Sequence, residues 1–111
     1  MQKPWLILVA AMVSVAGPSK SEGRSAVSNH FYCAAMIGAA DRLMFDGKVP
    51  RDEAFLRGAL FSAMAHVNAW ALPRNLPEKE AFAAINAERD HMIATLSSAD
   101  IVRRAKACLD V

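Results

Sequence analysis

Only two cysteines occur in the 111 residues, Cys33 and Cys108, and between them lies nearly everything in the chain that can form a hydrophobic core. Cys33 falls near the start of the first helical segment and Cys108 near the end of the last. A bond between them therefore requires those two helices to be antiparallel neighbours. It closes a loop of some seventy residues, for which chain-entropy arguments give roughly 4 kcal/mol. That is a large part of the ~5–15 kcal/mol by which a small domain is stable. A redox-active pair takes the Cys-x-x-Cys spacing, so these two read as structural.

A disulfide persists where the surroundings oxidise thiols, and the start of the chain points to such a place. Lys3 gives a positive beginning, Trp5 to Val15 is an apolar run, and Ser14-Val15-Ala16 sets small residues where a signal peptidase reads them. The run is too short to span a bilayer, which needs about 20 apolar residues. Residues 1–16 thus read as a signal peptide and the protein as periplasmic or secreted, with no stable membrane span after cleavage. Residues 17–27, rich in Gly, Ser and charge, read as a flexible tail. Residues 28–111 form the folded domain.

From Ser28 onward apolar residues recur at helical spacing and nothing alternates long enough for a strand. The expected fold is all-α, a small four-helix bundle. Helix one runs from a Ser28 cap to Phe45, with Tyr32, Cys33, Met36, Ala40, Leu43 and Met44 as its main stripe and Asp46 to Pro50 as the break. Helix two starts with Pro50 as cap or first-turn residue and buries Phe55, Leu56, Ala59, Ala63, His66, Val67 and Trp70 before Pro73 stops it. Helix three begins near Pro77-Glu78. Ser97 caps helix four, with Asp100 answering as in a capping box. Short connections make the order up-down-up-down.

Composition excludes several functions. Lys and Arg number 13 against 11 Asp and Glu, and loss of Lys3 brings the mature chain closer to neutrality, so nothing attracts nucleic acid. The basic cluster Arg103, Arg104 and Lys106 suits the negative end of a helix. Glu88-x-x-His91 has the spacing of a di-iron bundle ligand pair. Val27 precedes His30 and Ala63 precedes His66 at the matching positions, so no second copy exists and no metal or other cofactor is implied. No Gly-x-Ser-x-Gly elbow or glycine-rich phosphate loop is present. The chain reads as non-enzymatic.

Two features remain. His66 lies within the apolar stripe of helix two near Trp70, where a buried imidazole needs partners for both nitrogens; Arg89 lies on the apolar face of helix three. These three are candidate ligand contacts, Arg89 for an anionic group, and the alternative expectation is a carrier of a small apolar or metal-containing ligand held near His66 and Trp70. The stronger clue is the second apolar side of helix one: Phe31, Ala34, Ala35, Gly38 and Phe45, with Asp41 and Arg42 as its polar residues. A helix apolar all round must be covered on both sides. Either helix one is central, or this face meets a protein partner or a second copy, and Phe61 and Leu72 add apolar surface pointing away from the helix-two stripe. The leading expectation is an exported protein that binds another protein through this face.

Overall fold

The computed structural model describes residues 17–110, with side chains from Asn29 onward. Residues 1–16, expected to be a signal peptide, lie outside the described residues. Among the described residues four α-helices follow one another: α1 Gly17–Phe45, α2 Glu53–Ala71, α3 Glu78–Thr95 and α4 Ser98–Ala107, with a 3₁₀ turn at Leu72–Arg74 between α2 and α3. The described residues contain no strand. The fold is the expected all-α bundle, closed by a Cys33–Cys108 disulfide with Cα atoms 5.4 Å apart.

Local chemistry sets the helix ends. α1 begins at Gly17 instead of at Ser28, so the backbone of 17–27 is continuous with it. Pro18 then stands in the first turn, where its missing N–H has no intrahelical partner to lose. At the other end Gly47 takes φ +72°, the Gly47 N–H donates to Met44 and the Lys48 N–H to Leu43. This pair of bonds satisfies carbonyls that the helix leaves open, and the left-handed backbone they require favours glycine. Asp52, not Pro50, caps α2: its Oδ1 accepts from the Phe55 N–H at 3.1 Å. Pro50 lacks a side-chain acceptor and stays outside the helix. Pro77 precedes α3, and Ser97 Oγ accepts from the Asp100 N–H at the start of α4 as the sequence anticipates.

The directions alternate. Phe31, midway along α1, meets Trp70 late in α2, Gly38 meets Arg89 of α3, and Cys33 meets Cys108 at the end of α4 while Met44 lies near Ala99 at its start. The bundle is not a square of equal neighbours, however. α2, α3 and α4 each pack mainly on α1, and α3 touches α2 and α4 only sparsely. The second apolar side of α1 explains this: a helix apolar on all sides is most stable at the centre. Met36, Ile37, Ala39 and Ala40 are fully buried there, with Phe55, Ile85, Met92 and Ile101 arriving from the other three helices.

Candidate functional site

The expected interaction face of α1 divides in two. Ala34 and Ala35 are buried, Ala35 completely, and Phe31 packs on Trp70 with ring centroids 4.7 Å apart. These three are not a free surface, which corrects the sequence expectation. The reason is burial in the core: Trp70 of α2 meets Phe31, and Ala34 and Ala35 belong to one buried cluster with Phe55 and Val67 of α2 and Ile85 of α3. Further along α1 the cover ends. Gly38, Asp41, Arg42 and Phe45 line a cavity of about 390 Å³ with Arg89 of α3. A second cavity, about 220 Å³, runs from Ile37, Gly38 and Asp41 to Leu56, Ala59, Leu60 and Ala63 of α2. The two share Gly38 and Asp41, so they form one open stripe flanked by α2 and α3. Phe45 is 77% exposed beside it and Leu60 74%.

Arg89 behaves as an edge residue. Its stem lies over Gly38, where a Cβ would come within 3.7 Å of Cδ, and its guanidinium bonds Asp90 at 2.9 Å and Asn86 at 3.2 Å. An arginine of this kind covers apolar backbone with its stem and keeps its charge near water and carboxylate. It borders the open stripe and lies apart from His66.

His66 is part of the structure's internal hydrogen bonding. It is 4% exposed, and both ring nitrogens have partners: Nε2 lies 2.7 Å from the Cys108 carbonyl and Nδ1 lies 3.0 Å from Nδ1 of His30. Ser62, one turn earlier on the same face of α2, donates to the Leu109 carbonyl at 2.7 Å. The last carbonyls of a helix lack intrahelical donors; Ser62 and His66, spaced i and i+4, supply them beyond the end of α4. That accounts for two buried polar side chains in an apolar stripe. With both nitrogens engaged, His66 has none left for a ligand or metal, and Trp70 is covered by Phe31 on one side while Arg74 stacks on its ring and bonds its carbonyl. His66 and Trp70 are thus each held by neighbouring side chains, and Arg89 lies over a different part of α1.

His30 is the residue that sequence reasoning missed. It falls off the main stripe of α1, yet lies one turn before Cys33 on the side that meets α2. The signal was present in the disulfide, which fixes where this turn sits relative to the ends of α2 and α4.

A further cavity, about 760 Å³, lies elsewhere, between the α1–α2 loop and α4. Met44, Val49, Pro50 and Val102 line it with Arg51, Arg103 and Lys106 at its edges. Each cation has a carboxylate: Arg51 with Glu53, Arg103 with Asp100 and Lys106 with Asp52 at 2.9 Å. The Lys106 bond, followed by the Phe55 N–H, holds the Asp52 carboxyl below its ordinary pKa. The third member of the basic cluster, Arg104, donates to Tyr32 Oη at 2.8 Å. The described residues hold no group of three or more His, Cys, Asp and Glu suited to a metal, and none of their helices is long and apolar enough to cross a membrane. No protein-family model, curated protein or solved structure matches the chain.

Proposed function

We propose that this is an exported, non-enzymatic binding protein that engages another protein through the open stripe on the C-terminal half of α1. The observation that carries the reading is the exposure of Phe45 and Leu60 beside a stripe floored by Gly38. Single exposed apolar side chains are ordinary, but two large ones bordering a continuous depression match the anchors of helix-in-groove and patch interfaces. Asp41 and Arg42 supply polar positions that fix orientation within it. The export half of the reading draws on the leader and on a disulfide that an oxidising compartment preserves.

Affinity capture from the native envelope fraction, compared between the unaltered protein, Phe45→Glu and Phe61→Glu, tests it. Phe45→Glu should abolish capture with its fold intact, while Phe61→Glu, equally exposed on the outer side of α2, should retain it. Equal capture by all three variants would defeat the reading.

The cavity between the α1–α2 loop and α4 favours a second reading, a small-molecule carrier. Its volume lies within the ~300–1,000 Å³ usual for ligand pockets, and an apolar floor rimmed by ion pairs suits the alkyl chain of a small amphiphile. Binding of decanoate to the unaltered protein, lost in Val102→Trp, supports that reading; absence of binding removes it.

A further inference from the structure

We propose that the His30–His66 pair is an acid-opened latch between α2 and the disulfide-bonded α1–α4 pair. A carbonyl only accepts hydrogen bonds, so the 2.7 Å contact with Cys108 requires His66 to donate from Nε2. In the neutral ring Nδ1 is then an acceptor. At 3.0 Å from it, His30 Nδ1 must be the donor. One backbone oxygen thus fixes the proton order along the whole chain, from His30 Nδ1–H to His66 Nδ1 and from His66 Nε2–H to Cys108.

This order limits how many protons the pair holds. His30 is half-buried and its Nε2 is unprotonated, so one added proton enters there and the bond between the rings persists as a charge-assisted one. A second proton has only His66 Nδ1 to occupy. It would set N–H against N–H at 3.0 Å with two positive rings 5.2 Å apart between centroids. The contact between the rings therefore survives one added proton and not a second.

Among the described residues no carboxylate is hydrogen-bonded to either ring. α1 contributes Tyr32 and α4 contributes Arg104, bonded to each other. The face of α2 around His66 carries Ser62, Ala63 and Trp70, and the α3 residues buried against α1 are Ala81, Ile85 and Met92. Asp110, the last described residue, is exposed.

Opening has a direction, because Cys33–Cys108 keeps α1 and α4 together whatever the pH. α2 is the element released, together with the seal that His66 and Ser62 place over the Cys108 and Leu109 carbonyls. α2 also carries Leu56 and Leu60, so acid would remodel the stripe. This last consequence rests on the face proposed above, whereas the latch itself does not.

Nitrogen-15 imidazole NMR of the full chain, combined with amide exchange from pH 8 to pH 4, tests the latch without any partner. Exposed His91 on α3 serves as the reference ring. At pH 8 His66 should be the Nε2–H form and His30 the Nδ1–H form. As His66 gains its second proton, amides near His66 should exchange at least tenfold faster while those around Met36 do not. His30→Gln should remove this acid response, because an amide donates to neutral His66 through its NH₂ and, flipped, accepts from the protonated ring through its oxygen. The opposite tautomers at pH 8, a doubly protonated pair with α2 amides still protected, or an unchanged response in His30→Gln would each overturn the latch.

Discussion

The two halves of the described part of α1 carry similar side chains and meet opposite fates. From His30 to Ile37 the helix is held by the disulfide, the imidazole pair and the Phe31–Trp70 stack, and Ala34 and Ala35 are buried. From Gly38 to Phe45 the same side of the helix faces solvent between α2 and α3. Apolar periodicity specifies that a stripe will be covered; it does not specify by what. Here Trp70 of α2 reaches Phe31 on one half, while Phe45 on the other has no such cover.

Placing a charge at each end sharpens this contrast. Ala35→Glu sets a carboxylate where no water reaches and should cost more than about 4 kcal/mol, enough to abolish cooperative unfolding in a urea titration. The covalent clip comes next. Cys33→Ser removes the constraint on a loop whose ends are 75 residues apart in sequence and should cost roughly 4 kcal/mol in the same titration. A loss below about 1 kcal/mol would mean that the α1–α4 contact is maintained by packing alone.

The cap over the end of α4 is worth less. His66→Ala leaves the Cys108 carbonyl and His30 without their partner and opens a small cavity, which should cost about 2–3 kcal/mol. Ser62→Ala strands only the Leu109 carbonyl and should cost about 1–2 kcal/mol. Stability curves that instead show equal, negligible losses would make both contacts incidental.

Much of this architecture was legible in the sequence because it depends on local rules. Ser97 with Asp100, Pro77 before α3, and Asp46 to Pro50 as a break are each determined within a few residues. The cysteine pairing was legible too, since two cysteines at the ends of a helical domain leave one partner each. Burial of His66 followed from its place in a stripe. Its partners did not, because His30 and the carbonyls beyond α4 are more than thirty residues away in sequence. The division of the α1 face was equally hidden. Phe31 and Phe45 are alike in type and register, and only the path of α2 and α3 tells them apart.

A smaller effect concerns acid. Asp52 has its carboxyl pKa lowered in the fold by Lys106 and the Phe55 N–H, so its contribution is complete above the ordinary carboxylate value and is lost as pH falls through the lowered one. The loss therefore lies below the ordinary carboxylate range. Asp52→Asn keeps a capping oxygen, and thermal melts below that range should show a flatter pH dependence than the unaltered chain. At the open end of α1 the expected effect is smallest: Phe45→Glu should change stability by no more than about 0.5 kcal/mol, since the ring already faces water.

Hydroxyl-radical footprinting along α1 compares the two halves in one sample of the folded, unaltered chain. Methionine is intrinsically far more reactive than phenylalanine, so ordinary chemistry alone would label Met36 and Met44 first. Both are buried, whereas Phe45 is 77% exposed, and the account predicts the reverse order, with Phe45 oxidised early and Met36, Met44 and Phe31 protected until the domain unfolds. Rapid oxidation of Met36 together with protection of Phe45 would contradict the division of α1 into a covered half and an open one.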